Sequence, residues 1–121
     1  MNPGLTYLAA PYSAPDPQTV EARMDSLARV QANLVSQGLF PVTPLSCHWV
    51  LKHAPSMPTD WNYWQHYSRA LLRRCDSLVV VDVEGWRQST GVQAEIALAR
   101  ELDLPCYIVN ERDFALIPLE N

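Results

Sequence analysis

Glu95 is the acid whose position in the sequence best suits it to act on a bound ligand. The apolar residues around it recur at helical spacing, and they are Val92, Ile96, Ala99 and Leu102. At about 3.6 residues per turn, Glu95 falls inside this apolar stripe, so its carboxylate is aimed inward near the start of a helix. Because burying an unpartnered charge is costly, we expect Glu95 to lie at the mouth of a cleft or to be held by specific hydrogen bonds. The alternative is that Glu95 lies at the edge of the stripe and only interacts with the positive end of the helix dipole.

The residues just before Glu95 form a turn suited to a small ligand. Ser89 or Thr90 is predicted to cap the helix, and Gln93 follows Thr90 at the spacing of a capping box. Gly91 leaves the first helical turn without a side chain, which would let a ligand approach the backbone amide closely. Capping alone also accounts for Ser89 and Thr90, so both interpretations stay open.

Three further residues are predicted to lie near the same turn. Asp82 lies near the end of the apolar run 78–83 and either faces the ligand or serves as a cap or solvent-facing acid. Trp86 either closes the site from the loop or covers the edge of a sheet. Tyr7 lies on the first predicted strand and would ordinarily be a core residue whose hydroxyl needs one hydrogen-bond partner.

The elements that must position these residues alternate between strand and helix. Apolar runs predict strands at 5–10, 39–42, 78–83 and 104–109, with an edge strand or tail at 114–119. Helices are predicted from Asp16-Pro17 to Gly38, from Thr59-Asp60 onward and over 90–102, whereas Pro44, Pro55 and Pro58 exclude long regular structure between the second strand and the second helix. This alternation predicts one domain over residues 1–121, a three-layer α/β/α fold with a flavodoxin-like or Rossmann-like parallel sheet of four to five strands. In such folds ligands bind at the carboxyl ends of the strands.

Composition and charge narrow the range of partners. The 121-residue chain has a net charge of -4 and a single lysine, Lys52, so a nucleic-acid polymer is not expected as a partner. Free nucleotides remain compatible, since helix N-termini and backbone amides can hold one phosphate. No leader-like or membrane-length apolar run is apparent, so we expect a cytoplasmic protein without a membrane partner.

The cysteines and short motifs predict neither a metal nor a cofactor. Cys47, Cys75 and Cys106 lack metal-type spacing, and free thiols are favoured over disulfides. Cys47-His48 with His53 nearby lacks a matched second pair of ligands. Neither a GxGxxG nor a GxxxxGK[ST] motif occurs, which removes the main support for dinucleotide or P-loop binding.

Three separated motifs together resemble the nucleoside 2-deoxyribosyltransferase superfamily. They are YLAAP at 7–11, Cys75-Asp76 ahead of an apolar strand, and STGVQAE at 89–95 with Pro105 after the helix. The superfamily includes nucleoside deoxyribosyltransferases and 2'-deoxynucleoside 5'-monophosphate N-glycosidases. The chain is most similar to an uncharacterised bacterial and phage branch, a domain of unknown function with an N-terminal YLAxPYS and a later GWxxSxGxxxE, and this similarity spans nearly the whole chain.

The resemblance implies roles for the residues that match. Glu95 matches the nucleophile, and Tyr7 matches the tyrosine that orients the catalytic acids. Ala10 and Pro11, with Ser89, Thr90 and Gly91, then belong to the substrate-binding turns. Ser89 falls where the transferases have an aspartate and the monophosphate glycosidases have a phosphate-binding serine, which favours a phosphorylated ligand. Because family sites are completed by a neighbouring subunit, a homo-oligomer is also expected.

The sequence departs from the family pattern at two places. The second acid, about eight residues before the Cys-Asp pair, falls on Ser68, and His66 or Asp60 is a candidate replacement. The serine and arginine that follow the first strand in the glycosidases fall on Pro11 and Ser13. General acid catalysis is worth roughly a hundred- to ten-thousandfold, so the loss at position 68 bears directly on activity.

The predicted function is cleavage of the N-glycosidic bond of a nucleoside or nucleoside 5'-monophosphate, by an N-glycosidase or deoxyribosyltransferase-like enzyme without a cofactor. The resemblance implies that Glu95 attacks the anomeric carbon and forms a covalent glycosyl-enzyme. The alternative is a non-catalytic module of the same fold that binds or senses a nucleotide. A flavodoxin-like or receiver-like partner protein is less consistent with the sequence, because the only lysine, Lys52, lies in a loop.

Overall fold

Residues 4–120 are described by a computed structural model, in which five strands form one sheet. The strands are β1 (Leu5–Ala9), β2 (Phe40–Val42), β3 (Ser77–Val81), β4 (Cys106–Val109) and β5 (Ile117–Pro118). They lie in the order β2-β1-β3-β4-β5, and β5 alone runs antiparallel to its neighbour. The helices are α1 (Pro17–Ser36), α2 (His48–His53), α3 (Trp61–Leu72) and α4 (Thr90–Glu101). The predicted α/β/α fold with a parallel sheet of four to five strands is confirmed, except that the edge strand β5 runs antiparallel.

The two central strands are apolar on both faces because helices cover both sides of the sheet. Tyr7 of β1 and Val80 of β3 pack on the side that carries α3 and α4. Their neighbours Leu8 and Val79 pack on the opposite side, against α1. Since side chains alternate along a strand, this register decides that Tyr7 faces the N-terminal half of α4.

Helix α1 begins and ends at the residues that the sequence predicts. Asp16 accepts a hydrogen bond from the Thr19 amide at 2.9 Å, and Pro17 occupies the first helical position. Gly38 has a φ of +89° and donates to the Val35 carbonyl, as expected for the glycine that follows a helix. These local signals need no tertiary context, which explains why the sequence predicts them correctly.

Several strand ends and the segment after β2 differ from the prediction. The central strand ends at Val81 rather than at position 83, because the Val83 amide donates to the Val81 carbonyl and the chain turns there. Asp82 therefore lies just beyond β3 and is exposed. The proline-containing segment after β2 is not a plain loop, since it contains a 3-10 turn over Pro44–Cys47 and then the short helix α2. Within residues 4–120, no helix has the length and apolarity needed to cross a bilayer.

Candidate active site

A tyrosine and a glutamate meet beneath a cleft. Tyr7 comes from β1 and has 0% exposed surface, and Glu95 comes from the second turn of α4 and is 7% exposed. The Tyr7 hydroxyl donates a hydrogen bond to Glu95 Oε2. Glu95 is thus a buried acid held by a specific partner, one of the two arrangements that its helical phase allows. The Tyr7 hydroxyl also obtains the partner that a buried phenol requires.

Burial controls the charge of this pair. It raises the pKa of Glu95 to about 7, and the hydrogen bond from Tyr7 offsets only part of that rise. Burial, followed by the charge of Glu95, also raises the pKa of Tyr7 above its usual range. Tyr7 therefore remains a neutral donor, while Glu95 changes between acid and carboxylate near neutral pH. A carboxyl group with its pKa near the working pH is suited to catalysis.

The cleft above Glu95 has a volume of about 700 Å³ and lies at the carboxyl ends of the parallel strands. Its walls come from the end of β1, the segments that follow β1, β2 and β3, helix α3, the N-terminal half of α4 and Arg23 of α1. The site residues predicted from the sequence that line it are Ala10, Pro11, Asp60, Ser89, Thr90, Gly91 and Glu95. A volume of this size can hold a nucleoside-sized ligand.

Besides Tyr7, which lies beneath the cleft, three predicted site residues do not line it. Trp86 is buried in the core beside α4, and its indole Nε1 donates to Asp82 Oδ1 at 3.1 Å. Asp82 is exposed at the end of β3 and accepts that bond. His66 is exposed on α3. Trp86 therefore packs in the core on the side of the sheet that carries α3 and α4, and it does not line the cleft.

The turn before α4 is capped by Ser89. The Ser89 hydroxyl accepts from the Val92 amide at 3.2 Å, whereas Gln93 donates to the Trp86 carbonyl instead of completing a capping box with Thr90. A Cβ at Gly91 would lie 3.2 Å from Trp61 Cε3 of α3. The missing side chain at position 91 therefore allows α3 to pack closely against α4, in addition to opening this wall of the cleft.

Ser68 lies next to the buried pair. It is buried on α3, lines the cleft and hydrogen-bonds to the Tyr7 hydroxyl, an interaction that opposes the rise in the pKa of Tyr7. The position that holds an acid in the resembled family thus holds a neutral hydroxyl in contact with Tyr7. Asp60, one of the two candidate replacements, is exposed at the start of α3 and makes no capping hydrogen bond there.

Two groups that line the cleft were not predicted from the sequence. Arg23 of α1 donates to the Ser13 carbonyl at 2.7 Å and to the Glu84 carbonyl at 3.4 Å, so it ties together the loops after β1 and β3. Within residues 4–120, no carboxylate lies at ion-pair distance from Arg23. Gly85, with a φ of +97°, leaves room for the guanidinium, since a Cβ there would lie 2.7 Å from Nη2. Arg23 follows Val20 by three residues, so the phase argument applied to Glu95 would have found it.

The second unpredicted group is a hydrogen-bonded row at the cleft. Tyr12 Oη lies 2.7 Å from His48 Nδ1, and His48 Nε2 lies 3.3 Å from Glu21 Oε1. Tyr12 and His48 both line the cleft. Tyr12 belongs to the YLAxPYS motif, and this motif is the sequence feature from which Tyr12 could have been identified as a site residue. His48 was considered only as a metal ligand, and no group of three or more metal-binding side chains occurs in the part of the chain described, 4–120.

Comparison with known families gives one match. The profile of the domain of unknown function DUF1937 matches residues 4–111, so the chain belongs to that family. This confirms the uncharacterised-domain part of the resemblance noted from the sequence. None of the curated proteins matches the chain significantly.

Proposed function

We propose that this DUF1937 protein cleaves the N-glycosidic bond of a nucleoside or nucleoside 5'-monophosphate, with Glu95 as the nucleophile. The observation that carries the proposal is the buried hydrogen bond from Tyr7 to Glu95 beneath a nucleoside-sized cleft. The same two residues match the family's orienting tyrosine and nucleophile in the resemblance to the nucleoside 2-deoxyribosyltransferase superfamily. Retaining glycosidases use a carboxylate as the nucleophile and need no cofactor, and buried Glu95 supplies such a carboxylate.

The reaction follows from the position of the carboxylate. An oxygen of ionised Glu95 bonds to the anomeric carbon as the bond from that carbon to the base breaks, which gives a glycosyl ester. Water, or a second base in a transferase, then displaces Glu95 from the same carbon, so the configuration is retained overall. Tyr7 holds the carboxylate in place through its hydrogen bond, and Ser68 in turn contacts Tyr7.

A panel of ribo- and deoxyribonucleosides and their 5'-monophosphates tests this function. We expect release of free base from at least one of them, detected by liquid chromatography, with a retained configuration at the sugar. If no compound releases base, the catalytic proposal is wrong. Ser68 in place of the second acid favours the alternative in that case, a nucleotide-binding module, for which a nucleotide should raise the melting temperature without turnover. A panel that produces neither turnover nor a thermal shift excludes both functions.

Arg23 and Ser89 support a phosphorylated substrate. Arg23 is the only lysine or arginine side chain of residues 4–120 that lines the cleft, and Ser89 caps the helix on the same cleft. An arginine that is held by backbone carbonyls and has no carboxylate at ion-pair distance within residues 4–120 can still bind an anion, and helix N-termini attract anions. A 5'-phosphate placed between the loops after β1 and β3 would supply that anion.

Replacing Arg23 with glutamine should therefore raise KM for a 5'-monophosphate by roughly ten- to a hundredfold, the value of a charge-assisted hydrogen bond. The KM of the matching nucleoside should change little, because it carries no phosphate. Steady-state kinetics with both substrates measure the ratio. Arg29→Gln is the matched control, since Arg29 lies on the same helix but pairs with Glu111. Equal losses on both substrates would show that Arg23 only supports the loops.

We also propose that the protein forms a homo-oligomer, as the resemblance implies. Exposed aromatic side chains on α2 and α3 are compatible with a subunit interface, and they are Trp49, Tyr63 and Tyr67.

A further inference from the structure

The proposed reaction lacks a proton donor for the departing base. Glu95 is the nucleophile, and Ser68 replaces the second acid of the resembled family. Of the acids suggested by the sequence, His66 does not line the cleft, and Asp60 lines it but is exposed at the start of α3, with no capping hydrogen bond to hold its carboxyl group in place. Arg23 does not release a proton at ordinary pH, because the guanidinium stays charged in proteins. A donor must therefore come from another group on the cleft wall.

We propose that Tyr12 is the acid that protonates the leaving base and that His48, held by Glu21, resupplies its proton. This assignment rests on the proposed glycosidase function. It is carried by the row of hydrogen bonds from Tyr12 Oη to His48 Nδ1, at 2.7 Å, and from His48 Nε2 to Glu21 Oε1, at 3.3 Å. The row crosses three segments, namely the loop after β1, helix α1 and helix α2.

Tyr12 is placed to reach the substrate that Glu95 attacks. It follows β1 by three residues and lines the same cleft as Glu95, whereas Tyr7, on β1 itself, lies beneath the cleft. Burial, and then the charge of Glu21, raise the pKa of Tyr12, so the phenol keeps its proton at neutral pH. A phenol with a raised pKa is a weak acid, so transfer of that proton to the base depends on the proton that His48 supplies in return. The two tyrosines therefore have separate tasks, since Tyr7 binds the nucleophile and Tyr12 faces the ligand.

His48 can hold the row together with or without an extra proton. With a proton on each ring nitrogen, Nε2 donates to Glu21 and Nδ1 donates to Tyr12 Oη, which leaves the phenolic O–H free to point at the base. With one proton, on Nε2, the bond to Glu21 persists and Nδ1 accepts from Tyr12 instead. Glu21 is also within 3.5 Å of Lys52 Nζ, and the Trp49 ring contacts His48 edge-on, so these side chains fix the position of the row.

The proton balance closes over one turnover. As Glu95 bonds to the anomeric carbon, the electron pair of the glycosidic bond passes to the leaving nitrogen, and Tyr12 gives its proton to the base. Tyr12 takes the Nδ1 proton of His48, which becomes neutral. In the second half, water attacks the anomeric carbon of the glycosyl ester and releases Glu95, and the proton of that water returns through Tyr12 to His48. An acid in the first step thus acts as a base in the second, as in other retaining glycosidases.

The chemistry of the leaving base distinguishes a role of Tyr12 as the acid from a purely structural role. A 7-methylguanine base leaves its sugar as a neutral molecule and needs no proton, whereas guanine does need one. Base release is to be measured with the guanine and 7-methylguanine nucleosides and 5'-monophosphates, in both the ribose and deoxyribose forms. We expect Tyr12→Phe to lower kcat on the guanine compounds by roughly a hundredfold or more, the usual value of general acid catalysis. On the 7-methylguanine compounds the loss should stay below roughly fivefold.

His48→Gln should reproduce this pattern, because glutamine can keep both hydrogen bonds but cannot carry the proton. Tyr107→Phe and His53→Gln are the matched controls, since Tyr107 lies on β4, His53 is exposed at the end of α2, and neither lines the cleft. Melting temperatures of all variants show whether each folds. Equal losses by Tyr12→Phe on both classes of leaving group, or no loss on either, would overturn the assignment. Failure of the wild-type protein to release base from any of these compounds, or full activity of Glu95→Gln, would instead overturn the proposed function and this assignment with it.

Discussion

Replacing Glu95 with glutamine should reduce base release by at least roughly a thousandfold, because an amide cannot attack the anomeric carbon. Glutamine has nearly the same shape as glutamate, and its Oε1 can still accept the hydrogen bond from Tyr7. The fold and the cleft should therefore persist in this variant. Base release from the best substrate of the panel, followed by chromatography over long incubations, measures the loss.

Glu101→Gln provides the control for this experiment. This substitution removes the same charge from the same helix, but Glu101 is exposed at the end of α4. Activity of this variant should match the wild type. If Glu95→Gln retains more than about a tenth of the wild-type rate, Glu95 does not form the covalent bond and the nucleophile must be sought elsewhere.

The same substitution should stabilise the protein, and the gain should grow with pH. Burial raises the pKa of Glu95 to about 7 from the ordinary value of 4.5. Below pH 4.5, glutamate is protonated in both the folded and unfolded states, and its ionisation does not affect the free energy of unfolding. As the pH rises from 4.5 to 7 the unfolded chain loses this proton while the folded protein keeps it, so the wild type loses stability over that interval. Glutamine has no proton to lose and avoids this cost.

The expected gain of Glu95→Gln over the wild type is about 2 to 3 kcal/mol larger at pH 8 than at pH 5, from the free energy that accompanies each unit of pKa. Chemical denaturation of both proteins at the two pH values measures it. Glu101→Gln, at an exposed position of the same helix, is the control for the effect of a glutamine substitution by itself. A gain that stays the same at both pH values would mean that Glu95 is ionised as easily in the folded protein as in the unfolded chain.

The two predictions concern one physical property of the site. A carboxyl group that is buried beneath the cleft is costly to ionise, and the ionised form is the one that attacks a sugar carbon. A variant that is more stable and inactive is the expected result when a destabilising group is kept for function. A merely structural glutamate would show the opposite pattern, with stability lost on substitution and activity changed only through folding.

Local sequence patterns were sufficient to predict the strands, the helices and the inward direction of Glu95. The period of Val92, Ile96 and Ala99 predicts that Glu95 points inward, and the structure buries it. Asp16-Pro17 predicts the start of α1 because a cap depends on a few consecutive residues. The alternation of apolar strands and amphipathic helices predicts the α/β/α layers, since such strands must be covered on both faces.

Local sequence patterns did not predict the contacts of a residue that has several possible partners within reach. Gln93 has the spacing of a capping box, yet it donates to the Trp86 carbonyl, because the turn 84–88 brings that carbonyl within reach. The sequence predicts that Trp86 either closes the site from the loop or covers the edge of a sheet, whereas it lies in the core beside α4 and donates a hydrogen bond to Asp82. Gly91 suggested a ligand, whereas the ring of Trp61 gives a second reason for the missing side chain.

The sequence by itself determined which residues face inward, where helices begin, and that a single acid lies at the inner face near the start of the last helix. Only the tertiary structure decided what that acid meets. Tyr7 and Glu95 are 88 residues apart, and their hydrogen bond requires β1 to lie beside β3 and α4 to cover the same face of the sheet. Tyr12, His48 and Glu21 likewise meet across separations of 36 and 27 residues. Periodicity reports the direction of a side chain within its own element, but neighbours across elements depend on strand order and helix packing, which no local pattern encodes.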